Sequence, residues 1–249
     1  MPPLDRPNRS PPAHTVLRSP PMTEPFSSLA EALAAYHIEL PQPQVERLEQ
    51  YARLLWEWNE KINLTRHTTF DKFVSRDIVD AQVLAGLLGQ GEVVLDVGTG
   101  GGLPGVILAI LRPDLRMMLS EPVGKKARAV ADMVQRLGLP IPVVQSRAED
   151  LLGPAQFNTL VARAVGRLRE VLRWFKPHWE HFDRLLVIKG PAWVQERGEA
   201  RHYGLMRDLA LRKVASYPLP GTSSESVVLQ ICPKERLLAG KTCKLRTIE

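Results

Sequence analysis

Residues Val93 to Gly105 read VVLDVGTGGGLPG, with glycines at 98, 100, 101, 102 and 105 and one carboxylate, Asp96, at the lip of the run. The glycines at 98, 100, 101 and 102 let the backbone turn tightly after a strand and let a ligand approach it closely. Pro104 suits the first position of a helix, expected over 104–111. Strand, glycine loop and helix form a nucleotide-binding arrangement. Gly100-x-Gly102-x-x-Gly105 also matches the dinucleotide fingerprint, with Glu121 placed to hold a ribose. Charge separates the two ligands: a pyrophosphate seeks a helix N-terminus with no anion beside it, whereas S-adenosylmethionine carries a sulfonium and an ammonium. Asp96 repels the first and attracts the second. Register agrees, because Asp96 and Val97 precede the first glycine here and Leu103 stands at the third-glycine position of Gly98-x-Gly100-x-x. The expected ligand is S-adenosylmethionine; NAD, or a loop that binds nothing, are the alternatives.

Other candidate residues follow other apolar runs. Glu121 follows RMMLS, where a carboxylate can accept both ribose hydroxyls or simply begin a helix. Ala148 and Glu149 follow IPVVQSR, where an amide and a carboxylate can meet an adenine edge or solvent. Arg163 follows NTLVA, and Lys189 and Gly190 end RLLVIKG. These two cations suit a phosphate-bearing substrate, unless they pair with Asp96 or Glu149. No Ser/His/Asp triad is apparent, and Cys232 and Cys243 lack the spacing of a metal site or disulfide framework, so no metal is expected. His67 and His178 read as surface or structural residues.

The elements that must position these residues fall into two textures. After Gly91, β-branched runs (VVLDV, RMMLS, IPVVQ, NTLVA, RLLVIKG, SVVLQI) alternate with helical stretches. That alternation predicts an α/β fold with a largely parallel, doubly wound sheet, whose ligands sit outside the carboxyl ends of the strands. Before Gly91 the period is helical. Ser28-Leu29-Ala30-Glu31 reads as a capping box opening a helix to about Tyr36. Val45, Leu48, Tyr51, Ala52, Leu55 and Trp58 share one helix face, and Phe70, Phe73, Val74, Ile78, Ala81, Leu84 and Leu88 share another. Residues 27–90 are therefore expected to form a helical cap on the binding domain, 91–232.

Residues 1–26 hold eight prolines and read as a disordered arm, while 233–249 read as a solvated basic tail. With 249 residues, 44% hydrophobic and 24% charged, the chain supports one sizeable core with appendages. The formal charge of +6 favours a polyanionic partner. Without an apolar run of membrane length or a signal-peptide core, a cytoplasmic protein is expected.

Longer motifs carry a family resemblance. LLWEWNEKINLTR, LDVGTGGGLPGVILAILRPDLR, SEPVGKKAR, QSRAEDL, ARAVGRL and IKG, spread over about Leu40 to Ile231, resemble the bacterial small-subunit ribosomal RNA guanine-N7 methyltransferases, also called glucose-inhibited division protein B. The resemblance implies a Rossmann-like class I methyltransferase with a mostly parallel seven-stranded sheet and an N-terminal helical cap. It further implies an S-adenosylmethionine-dependent enzyme acting on N7 of one guanine in 16S rRNA near the decoding site. The partner would be that RNA, the small subunit or an assembly intermediate. Motif by motif, the donor contacts carried over are Gly98 and Leu103, Ala148 and Glu149, and Arg163; Asp96 and Glu121 agree with the residue-level reading, and Gly100 lies in the same loop. Arg163 and Lys189 would position RNA phosphate or guanine O6, with Lys125, Lys126 and Arg128 extending a basic rim.

Guanine N7 carries an exposed lone pair, so the reaction needs no general base. Two departures stand out. Asp77 and Ala81 occupy positions where a histidine and a serine are usual, and FKPHWEHFDRLLVIKG lacks the usual Pro-Gly-Gly turn. Both are expected to lie away from the donor loop, and they leave open a non-catalytic rRNA-binding or assembly factor with the same fold.

Overall fold

A computed structural model describes residues 26–220 and 224–238. The arm through residue 25 and the basic tail from residue 239 lie outside the described residues. Among those described, no helix is long and apolar enough to cross a membrane.

The chain opens with helices α1 (Leu29–Ala35) and α2 (Gln42–Asn59). Ser28 caps α1 by accepting the Glu31 amide through Oγ at 3.2 Å, but the Glu31 carboxylate turns back to the Ser27 amide at 2.9 Å, so the expected box is displaced by one residue. On α2, Val45, Leu48, Tyr51, Ala52 and Leu55 are buried, as their spacing predicts. The second cap helix is not uniform. A three-residue α segment, α3 (Phe70–Lys72), runs into a π-helical turn at Phe73–Ile78 before α4 (Val79–Leu87). π turns concentrate at functional sites, and this one carries Asp77.

Seven strands follow: β1 (Val93–Val97), β2 (Arg116–Ser120), β3 (Val143–Val144), β4 (Phe157–Arg163), β5 (Phe182–Lys189), β6 (Leu209–Pro218) and β7 (Glu225–Pro233). They line up as β3-β2-β1-β4-β5-β7-β6, with β7 antiparallel to both neighbours and the rest parallel. Helices α5 (Gly105–Leu111), α6 (Gly124–Arg136), α7 (Leu168–Phe175) and α8 (Trp193–His202) cover the two faces. β3 is shorter than IPVVQ suggests. β6 does not stand out in the sequence, because LALRKVASYP is an edge strand whose exposed positions carry Arg212 and Lys213.

The cap is continuous with the core. Leu48, Leu55, Phe73 and Leu84 pack in one cluster with Val106, Ile107 and Met133 from α5 and α6, while the opposite face packs Leu160, Leu172, Phe175 and Leu185. The basic tail is docked where it begins. After β7, Lys234–Leu238 form a short helix, α9, and Arg236 donates to the carbonyls of Trp179, at 2.7 Å, and Phe182. The guanidinium thereby ties the chain after β7 to carbonyls at the start of β5.

Candidate active site

β1 and β4 end side by side, Val97 opposite Ala162, at the switch point of the sheet. After β1 the chain turns through Gly98 (φ +61°) and Gly100 (φ +63°), a left-handed geometry that favours glycine. The remaining glycines answer to close packing. An added Cβ at Gly105 would stand 2.2 Å from Leu119 and 2.6 Å from the Asp96 carboxylate. At Gly101 it would stand 2.9 Å from Leu55 and 3.3 Å from Leu64, both in the cap, and at Gly102 it would stand 2.9 Å from the Tyr51 hydroxyl. Tyr51 donates that hydroxyl to the Gly101 carbonyl at 2.8 Å. Much of the glycine run thus seats the cap, not a ligand.

Asp96 lies beneath this loop, fully buried. Its Oδ2 accepts the Thr99 hydroxyl at 2.5 Å and the Gly105 amide at 2.9 Å, while Oδ1 has no partner. Burial raises its pKa to about 6, against the pull of those two hydrogen bonds and of Arg163. A face-to-face contact with a ligand is therefore not what the geometry offers; its charge acts from one layer below. Gly100 and Leu103 likewise shape the loop: the Gly100 amide bonds Glu121 Oε2 at 2.9 Å, and the Leu103 amide bonds the Thr99 carbonyl at 2.9 Å.

Gly98, Glu121, Ala148 and Glu149 line one cleft, completed by Val97, Pro122, Arg147, Val165 and Trp174. Glu121 is buried at its edge, with Oε1 accepting the Val123 amide at 2.9 Å, so it is pinned in place with lone pairs to spare. Glu149 sits 3.5 Å from Arg147. Trp174 and Val165 supply an apolar wall that sequence reasoning missed. The available signal was the pattern of α7, which buries Leu168, Val171, Leu172 and Phe175 and so leaves Trp174 facing elsewhere.

Arg163 and Lys189 line a neighbouring recess, beyond the loop Ala164–Arg167. Both cations are already engaged by carboxylates. Arg163 Nη1 lies 2.7 Å from Asp77 and 3.0 Å from Asp80. Burial works against its charge, but the two carboxylates outweigh that and hold its pKa above the usual value. Asp80 also accepts the Tyr217 hydroxyl at 2.5 Å, and Asp77 lies 2.9 Å from His67 Nδ1. Asp77 therefore acts on Arg163, whose charge in turn reaches Asp96 beneath the donor loop. Lys189 is engaged by Glu196 at 2.7 Å and by the Gly166 carbonyl at 2.6 Å. Lys125, Lys126 and Arg128 lie on the first turns of α6, beside Glu121, with Lys125 and Arg128 exposed.

The chemistry of these groups is that of an anionic floor. Asp77 and Asp80 bracket the buried Arg163 guanidinium, and the charges of Arg163 and Glu121 both reach Asp96. Such a floor fits a cationic nucleoside and disfavours a pyrophosphate.

The description rRNA small subunit methyltransferase G matches residues 44–217. A relative of that name from Rhodopirellula baltica is 54% identical over 194 residues, 78% of this chain and 84% of its own. Another, from Desulfotalea psychrophila, is 32% identical over 209 residues, 82% of this chain and 96% of its own. A solved methyltransferase from Pyrococcus furiosus is similar in fold with a TM-score of 0.51 at 12% identity, covering 62% of this chain and 82% of its own. A sheet ending in this glycine loop, an anionic floor under it and those matches have one consequence: the chain belongs to the rRNA small subunit methyltransferase G family.

Proposed function

We propose that this protein transfers the methyl group of S-adenosylmethionine to N7 of a guanine in small-subunit ribosomal RNA, in the cytoplasm. The observation that carries the reading is the set of buried carboxylates at the switch point: Asp96 under the glycine loop, Asp77 and Asp80 on Arg163, and Glu121 at the edge of a cleft with an apolar wall. The names of the relatives supply the class of acceptor. When bound, the donor supplies a methyl group on a cationic sulfur. Asp96 would hold the loop that receives it and lower the electrostatic cost of its charge; Glu121 would accept the ribose hydroxyls, and Ala148 and Glu149 would meet the adenine. Residues 27–90 act as a cap that fixes the loop from behind.

In the transfer, the N7 lone pair forms the new N–C bond, the C–S bond breaks, and its electron pair stays on sulfur. Positive charge thus passes from sulfur to the purine, and no proton moves. The protein's work is positioning, worth up to roughly 7 to 11 kcal/mol in favourable cases, and a field that tolerates a travelling cation. Arg163, clamped by Asp77 and Asp80, contributes shape with its charge offset. Lys189 reaches guanine O6 or a phosphate by exchanging its bond to Glu196. The test is transfer of labelled methyl to unmodified 16S rRNA, followed by borohydride reduction and aniline cleavage, which together cut at 7-methylguanosine. One cut site is expected; label without cleavage would refute N7 as the acceptor.

A further inference from the structure

We propose that the outer face of α7 and α8 is the docking surface for the RNA flanking the methylated guanine, a proposal that rests on RNA being the substrate. Both helices begin at the recess that holds Lys189: Arg167 precedes α7 at its rim, and Trp193 opens α8 just beyond Gly190. An RNA strand leaving the recess on this side crosses their outward faces.

Residues 167–175 and 193–202 carry five arginines against three glutamates. Two of those glutamates are held by backbone amides. Glu196 accepts from Lys189 and the Leu168 amide, each at 2.7 Å, and Glu170 accepts the Arg167 amide at 3.0 Å. Among the described residues, Arg173, Arg197 and Arg201 have no carboxylate within 4.0 Å, so their charge faces solvent unbalanced.

Three of the five arginines stand over aromatic rings. Arg173 lies 5.2 Å and Arg169 5.8 Å from the Tyr203 centroid, and Arg197 lies 5.7 Å from that of Trp193. Tyr203 is 51% exposed, which gains a protein little unless something else covers the ring. A guanidinium held over a ring keeps its N–H fork free for phosphate, and the pair offers a platform on which an unstacked base continues the stack. That combination of cations and aromatic faces recognises single-stranded RNA. The lysine rim on α6 has charge next to the donor cleft, but its nearest exposed large side chain is aliphatic Val123.

The test compares the whole protein with the variant Arg173→Ala, Arg197→Ala, Tyr203→Ala. Affinity for unmodified 16S rRNA is measured across salt concentrations, with S-adenosylhomocysteine affinity and melting temperature alongside. The variant is expected to bind RNA at least tenfold more weakly, with a salt slope shallower by about 1.4, that is about 0.7 for each lost phosphate contact. Its donor-product affinity and melting temperature stay at the wild-type values. An unchanged RNA affinity and salt slope would overturn the docking surface. If instead the wild-type protein bound no rRNA, the reading of the substrate itself would fall.

Discussion

Asp96 never reaches the cleft, yet the choice of ligand turns on it. Sequence reasoning finds it because a carboxylate beside a glycine loop is electrostatically costly for a pyrophosphate. It does not find Thr99 and Gly105 as its partners, since that requires knowing that the loop folds back over the strand. Asp96→Asn separates charge from architecture, because the amide oxygen still accepts both hydrogen bonds. We expect S-adenosylmethionine to bind about tenfold more weakly to this variant, about 1.4 kcal/mol, and S-adenosylhomocysteine, which lacks the sulfonium, to be affected far less; titration calorimetry measures both. A pH dependence follows. The folded pKa of about 6 is raised above the ordinary 3.8, so between those values the folded state binds the extra proton, and stability falls as pH rises through that window. Donor affinity runs the other way, weakening as pH falls below about 6, and Asp96→Asn should flatten both profiles.

The cap and the glycine loop make a single construction. Helical periodicity locates α2 well, because its buried residues keep a strict three-and-four spacing. The π turn is hidden, since the apolar residues from Phe70 to Leu88 run on without a visible break; the legible hint was Asp77 and Asp80, three apart beside an apolar face. These two carboxylates and Tyr217 clamp Arg163 between cap, β4 and β6. Arg163→Ala would leave them buried without a counter-charge, at a cost of about 3 to 5 kcal/mol, and denaturant unfolding should show Asp80→Asn restoring part of the loss. Tyr51→Phe removes the hydroxyl that joins α2 to the Gly101 carbonyl. We expect a loss of about 1 to 2 kcal/mol and a melting temperature lower by about 2 to 8 °C. An unchanged melting curve would mean that the cap does not brace the loop through this bond.

The molecule as a whole unites an anionic interior with a cationic exterior. Net charge predicts the exterior and one acid predicts the interior, but the pairing of Arg163 with two carboxylates more than eighty residues away could not be read from spacing. Motifs define where a donor binds; tertiary contacts decide which cations are left to meet RNA. The most direct test is mass mapping of 7-methylguanosine in 16S rRNA from cells with the gene deleted, then restored as wild type or as Asp96→Asn. One modified guanine should disappear on deletion, return with the wild-type gene and return poorly with the variant. An rRNA modification pattern unchanged by the deletion would contradict the methyltransferase function.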